Sequence, residues 1–327
     1  MRAACLARRW KAAIEMTAQR AHAADGRMHL NHGPIDLIIE AFGTACEVAL
    51  AYEQAWARFP SVLPELAAEL NSLRQPVGNE LPKLGGPVAR RMAAAVWPYR
   101  GQYITPMAAV AGAVAQEVLA ALIEGRRLRK AYVNNGGDIA LHLSPGETFR
   151  AGIVGDVGAP AFDGRATVAA DSPVRGIATS GRGGRSFSLG IADAVTVLAE
   201  SAAKADAAAT VIANAVNIED RMIQRAPACS IDPDSDLGDM PVTVAVGDLP
   251  AGAVGQALDA GVLAAERLVR GGLIDAAMLL LRGERRVVSR DENRHPQILF
   301  DRGRDLPRGR AQGRARAQAR GGAGGHP

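Results

Sequence analysis

Ala131-Tyr-Val-Asn-Asn-Gly-Gly-Asp-Ile-Ala-Leu-His142 places two short β-rich runs around a glycine turn, the pattern of a hairpin. Strand-like runs follow it at 149–154, 166–170 and 174–179, so the middle of the chain is β-rich. Upstream, two more such runs flank His32-Gly33-Pro34 between residues 28 and 40 and predict a second hairpin. Helical spacing of apolar residues predicts helices over 46–59 and 64–73, then a loop punctuated by proline and glycine through Pro87. A clearer helix is predicted over 106–124, with Thr105 as its N-cap and Pro106 in its first turn. Downstream, the periodicity predicts a strand at 193–198, a helix at 201–215, an acidic loop, a strand at 241–246, a long helix at 251–269, and closing strands at 276–281 and 286–288. Helices and strands mix without regular βαβ alternation, which points to an α+β fold rather than a doubly wound sheet.

Composition excludes several function classes. No run approaches ~20 uninterrupted apolar residues, so a spanning helix is not expected. With 48% hydrophobic and 22% charged residues the chain can build a core. Aromatic residues make up only 4%, which leaves few side chains to stack on bases and argues against a nucleic-acid binder. Cys5, Cys46 and Cys229 lie far apart and offer neither a disulfide framework nor a zinc knuckle. Residues 1–27 form a basic extension without the apolar core of a secretory signal, and a cytoplasmic location is expected. The positive charge is concentrated at the other end. Residues 289–327 hold nine arginines against four acidic residues, a net of +5, in a glycine-rich tail expected to be disordered, which leaves the rest of the chain at −1. Such a tail is either a weak contact for RNA or acidic surfaces, or a solvated extension.

Three segments could carry chemistry. Asn134-Asn135-Gly136-Gly137-Asp138 can bring backbone close to a cofactor and direct hydrogen bonds at it, although Asn-Gly and Gly-Gly also suit a plain hairpin turn. Thr179-Ser180-Gly181-Arg182-Gly183-Gly184-Arg185 combines hydroxyls, flexible amides and two guanidiniums, as a phosphate or pyrophosphate requires. It matches neither a P-loop nor GxGxxG, and a surface loop is the alternative. Asp206 and Thr210, four residues apart, place a carboxylate and a hydroxyl on one face of a helix, where both can reach a hard cation such as Mg²⁺. Helix capping or a buried polar contact would explain the same pair. Asp232-Pro-Asp234-Ser-Asp236-Leu-Gly238-Asp239 has Leu237 where an EF-hand needs glycine, and reads as an acidic turn capped by its own side chains. No HExxH or GxSxG is present, and catalytic residues are not identifiable.

Taken together and in this order, the helix with Ala111-Gly112, the Asn135-Gly136-Gly137-Asp138 turn, the Ala178-Thr179-Ser180-Gly181 loop and the Asp206–Thr210 pair resemble the ApbE superfamily. Its founding members are Mg²⁺-dependent FAD:protein FMN transferases. Gly33-Pro-Ile-Asp36, residues 104–112, 176–181 and 186–197, and Asp232 to Gly238 are similar to a branch of short, signal-less bacterial and archaeal members. The resemblance implies a two-lobed α+β body with a cleft for FAD. In it, Asp206, Thr210 and a main-chain oxygen near Gly112 would hold Mg²⁺, while Asn135, Gly136, Gly137, Asp138, Thr179, Ser180 and Gly181 would line the cofactor. It also implies an acceptor protein carrying a Thr or Ser. Transferases of the superfamily have Lys-Gly where this chain has Ala111-Gly112, and a His-containing segment where it has Arg185-Ser-Phe-Ser-Leu. Two readings therefore stand: an FMN transferase, or a divergent member with another small-molecule role such as sulfur metabolism.

Overall fold

The computed structural model describes residues 17–153, 164–184 and 186–290 of the 327-residue chain. Residues 1–16, Arg185 and the Arg/Gly-rich stretch from 291 onward lie outside the described residues. Strands β1 (Gln19–His22), β2 (Met28–His32) and β3 (Ile35–Phe42) open the chain, followed by helices α1 (Ala45–Ala68), α2 (Leu70–Leu73) and α3 (Pro87–Val96). A 3-10 turn at Pro106–Ala109 leads into α4 (Val110–Ile123). Strands β4 (Lys130–Asn135), β5 (Asp138–Leu143), β6 (Thr148–Ile153), β7 (Gly164–Ala169), β8 (Gly176–Ser180) and β9 (Ala194–Ala199) make up the β-rich middle. The last third contains α5 (Ala202–Ala215), β10 (Ile223–Pro227), α6 (Ala228–Ile231), β11 (Pro241–Val246), α7 (Ala251–Arg270), β12 (Ala276–Leu281) and β13 (Glu284–Ser289).

Nine strands form one sheet in the order β1-β2-β3-β4-β5-β8-β9-β12-β13, every neighbouring pair antiparallel. The quoted hairpin is its centre: Asn135 pairs with Asp138 across a turn whose two glycines have φ of 63° and 115°, a region only glycine enters cheaply. Four helices cover one face in chain order, α1 on β2 and β3, α4 on β4 and β5, α5 on β8 and β9, α7 on β12 and β13. The separate β6–β7 hairpin covers part of the other face, where Ile153, Ala166 and Val168 pack on Leu141, Ile177, Leu198 and Met278. Strands between these layers are buried on both faces, so β9 and β12 read as unbroken apolar runs. At the uncovered end β2 and β3 alternate buried and half-buried residues, as a sheet with one core face must.

The structure departs from the sequence reading at several points. β1 lies inside the stretch read as an N-terminal extension and pairs along β2 as the edge strand. Instead of two helices, α1 runs unbroken for 24 residues through Pro60 and Pro64. Both prolines sit away from the core face formed by Phe59, Val62, Leu63 and Leu66, so burial of that face outweighs two missing amide donors. α3, for which the sequence reading has no counterpart, follows the expected loop and starts at Pro87, where the Glu69 carboxylate accepts from the Gly85 and Gly86 amides. Thr105 does not cap the helix that follows it. By length and composition, Pro106–Ile123 is apolar enough to cross a membrane, with a mean hydropathy of 1.7 over 18 residues. In the fold this apolarity serves burial, since α4 packs against α1, α3 and α5 as well as the sheet.

One alanine-rich helix sits at the middle of this packing. In α5, Ala202, Ala203, Ala205, Ala207, Ala208, Ala209 and Ala213 are buried, and small side chains let the backbone come close to its neighbours. A Cβ added at Gly176 on β8 would overlap the Ser201–Ala202 backbone, and one at Gly112 on α4 would overlap the Ala202 carbonyl. Backbone thus meets backbone on two sides of the α5 N-terminus. Gly176→Ala is expected to lower stability by about 2–3 kcal/mol, because neither partner is a movable side chain. Denaturant unfolding should show a lower midpoint with an unchanged m-value.

Candidate functional site

A cleft of ≈ 630 Å³ opens where the N-terminal end of α4 and one face of α5 meet the ends of β5 and β8. Asp138 starts β5 and Thr179 and Ser180 end β8, so hairpin geometry fixes their place on the wall. Asp206 and Thr210 come from successive turns of α5, and Asn214, one turn further, completes a polar stripe along the same helix. Tyr103, Thr105, Ala111 and the segment Asp232 to Leu237 also line it. Arg267 of α7 stands exposed at the rim.

Asp206 is bound to α4 rather than pointing free into the cleft. The first amides of a helix lack internal acceptors, and Ala109, at the cap position of α4, provides none. Asp206 Oδ2 accepts from the Gly112 N–H at 2.9 Å, and the Ala111 amide also favours its charged form. The residue is therefore the N-terminal cap of a helix 94 positions away in sequence. The Gly112 group that meets Asp206 is its amide; the neighbouring Ala111 carbonyl accepts from Asn135 Nδ2 at 3.1 Å. Burial lifts the Asp206 carboxyl well above the usual carboxylate range, and the Asp138 carboxylate on the same wall pushes in the same direction, against the two amides.

Six of the residues singled out in the sequence meet in the cleft: Asp138, Thr179, Ser180, Gly181, Asp206 and Thr210. Asp138 is buried and its Oδ1 accepts from the Thr179 amide at 3.1 Å, which links the two motif segments directly. Thr179 Oγ1 shares a 2.8 Å hydrogen bond with Thr196 Oγ1 on β9. Asn135, Gly136, Gly137 and Gly112 support the wall without lining it: Asn135 ties β4 to α4, and the two glycines form the turn. The phosphate-loop reading needs one correction. The Arg182 guanidinium donates to Asp193 Oδ1 at 2.7 Å instead of lining the cleft.

Other lining residues were not read as part of a site in the sequence. The Asp232–Asp239 turn does cap itself, with Asp232 Oδ1 accepting from the Asp234 amide at 2.9 Å. Its distant partners place it: Thr105 Oγ1 donates to Asp236 Oδ2 at 2.5 Å and Tyr103 OH to the Asp236 carbonyl at 2.9 Å. This contact uses the Thr105 side chain that was expected to cap α4. Asn214 could have been found by extending the four-residue spacing of Asp206 and Thr210 once more; its Oδ1 accepts from the Leu189 amide at 3.0 Å. No histidine lines the cleft among the described residues.

The Asp206 environment predicts a signed pH effect in metal-free buffer. A carboxyl with a raised folded pKa binds its proton more tightly in the native state. Its stability contribution is full below the ordinary value of 3.8 and is lost as pH rises through the folded pKa. Asp206→Asn keeps an acceptor for Gly112 without the charge, so its melting temperature should exceed that of the wild type at pH 8 and converge with it near pH 4. Asp206→Ala removes the cap and should lose about 1 kcal/mol at pH 4. Thermal melts across this range in the presence of a chelator check both.

Comparison with known proteins agrees with the motif resemblance. The chain is 40% identical over 123 residues to a UPF0280 protein of Methanothermobacter thermautotrophicus, covering 35% of this chain and 43% of that protein. To a UPF0280 protein of Methanopyrus kandleri it is 36% identical over 159 residues, covering 48% and 61%. The matched region thus spans about half the length of these curated relatives. An ApbE protein from Thermotoga maritima superposes with a TM-score of 0.44 at 12% identity, covering 86% of this chain and 98% of that one. The family model described as AbpE bacteria matches residues 19–287, from the first strand of the sheet into its last. The chain therefore belongs to the AbpE bacteria family.

Proposed function

We propose that the cleft binds a flavin nucleotide as its magnesium complex, and that the protein uses FAD to place FMN on a Thr or Ser of an acceptor protein, the hydroxyl oxygen displacing AMP from the FMN phosphorus with loss of the hydroxyl proton. The observation carrying this reading is the convergence of Asp138, Thr179, Ser180, Gly181, Asp206 and Thr210 from three separate segments on one cleft. The donor set fits magnesium. Two carboxylates and a hydroxyl are hard oxygen ligands, and mutual repulsion between Asp138 and Asp206 is a cost that a bound cation would relieve.

Asp206 and Thr210, with Asp138, would hold the ion, which when bound supplies charge neutralisation at the pyrophosphate. The protein's own groups do the rest. Ser180 offers a hydroxyl and Gly181 its backbone to the nucleotide, and the amide of Thr179 keeps the Asp138 carboxylate oriented. Tyr103, 39% exposed at the rim, presents a ring on which a flat heterocycle can stack.

A second reading is favoured by the charge of the walls. Ala111 stands where transferases of the superfamily carry lysine, and the described lining has five aspartates, Asp138, Asp206, Asp232, Asp234 and Asp236, against Arg267 alone. Such a cleft suits nucleotide binding without transfer, in a divergent small-molecule role. Titration of FAD with and without Mg²⁺ into wild type and Asp206→Ala tests the shared part. Binding should require Mg²⁺ and weaken at least about tenfold in the variant. Covalent flavin on an acceptor domain after incubation with FAD and Mg²⁺ supports the transferase; metal-dependent binding without it supports the second reading. No binding under either condition refutes both.

A further inference from the structure

Asp193 lies outside the cleft lining, yet it joins two walls of the cleft. Its Oδ1 accepts from Arg182 Nη2 at 2.7 Å, and its carbonyl accepts from the Gly183 amide at 3.3 Å. Gly181, next to Arg182, packs so tightly here that a Cβ would come within 2.7 Å of the Asp193 carbonyl. Asp193 Oδ2 accepts from the backbone N–H of Arg282 in the β12–β13 turn. The Arg282 guanidinium in turn donates to the carbonyls of Val246 and Gly247, at the end of the β10–β11 ribbon. That ribbon carries, between its strands, the Asp232–Leu237 segment that forms another wall. Arg282 is the only non-glycine among the described residues with positive φ, at 52°, a conformation that ordinary side chains avoid unless the surroundings impose it.

We propose that Asp193 is a positioning residue. It sets the Ser180–Gly183 turn through Arg182 and, through Arg282, fixes the ribbon with its acidic segment at a matching distance. Its consequence for ligand binding rests on the flavin-nucleotide reading, whereas the link between the walls does not. The carboxylate itself makes one contact to each wall, Oδ1 to Arg182 and Oδ2 to Arg282, so removing that side chain loosens both walls together. Removing Arg282 beyond its backbone releases only one.

Amide hydrogen exchange on the ligand-free protein tests this. The Arg182 and Gly183 amides, bonded to the Ala192 and Asp193 carbonyls, report on the turn, and the Gly247 amide, bonded to the Met222 carbonyl, reports on the ribbon. Asp193→Ala should speed exchange at both by roughly fivefold or more, about the weight of one lost hydrogen bond. Arg282→Gly removes the guanidinium while glycine keeps the left-handed turn at no cost, so this variant should fold; it should speed exchange at Gly247 and leave Arg182 and Gly183 as in wild type. Asp193→Asn keeps an acceptor for the Arg282 amide and should restore Gly247 protection but not that of Arg182. Unchanged exchange at Gly247 in both Asp193→Ala and Arg282→Gly would overturn the proposal, as would unchanged exchange at Arg182 in Asp193→Ala. FAD titration of Asp193→Asn then measures what the turn contributes to binding. An absence of FAD binding in wild type would refute the flavin reading and leave the exchange result standing.

Discussion

The close approach of α5 to its neighbours is the constraint on which the rest depends. Gly176 and Gly112 admit the start of α5 against β8 and α4 with no side chain between, and this brings a carboxylate on the second turn of one helix within hydrogen-bonding distance of the first turn of another. Asp206 thereby answers the helix-start amides of α4, which no local residue satisfies. The same packing pushes the carboxyl toward its neutral form and sets it near a second acid, Asp138. A structural cap under electrostatic tension is also a place where a cation is welcome. Capping and cation binding, alternatives when only the sequence is read, are compatible in the fold, because a carboxylate has two oxygens and more than one lone pair on each.

The sheet explains why these particular segments converge. Asp138 begins one strand and Thr179 and Ser180 end its neighbour, so antiparallel pairing of β5 with β8 brings the two motifs to the same edge of the sheet. The helices packed on that face then bring Asp206, Thr210 and Asn214 above them. The site needs no long-range hinge to assemble; it follows from register and helix order. The acidic segment is different in kind, held from outside by Tyr103, Thr105 and the contacts of Arg282 with the ribbon that bears it.

What was legible in the sequence was what local rules encode. Period-two patterns and glycine turns gave the hairpins at β2–β3 and β4–β5, and the apolar runs of β9 and β12 were recognisable because both of their faces are buried. The α+β class followed from the order of those elements. Less legible was anything decided by tertiary packing. Pro60 and Pro64 look like helix breakers until one sees that they face away from a buried stripe. Thr105 has the residue type and position of an N-cap, but its hydroxyl is claimed by Asp236, 131 residues away. Arg182 looked like a phosphate ligand because the sequence does not reveal that Asp193 lies beside it. The motif residues were found because their types are chemically distinctive; their supports Thr196, Asn214 and Asp193 were not, because their roles exist only in the fold.

The proposed function depends on where a divalent cation would sit. Replacing Mg²⁺ by Mn²⁺ in the presence of FAD and recording amide NMR spectra would locate it, since paramagnetic broadening falls off steeply with distance. The account predicts that signals of Ala111, Gly112, Asp138, Thr179, Asp206 and Thr210 are lost first, and that Asp206→Asn preserves them. Broadening centred instead on Asp232 to Asp239, unchanged by Asp206→Asn, would contradict it.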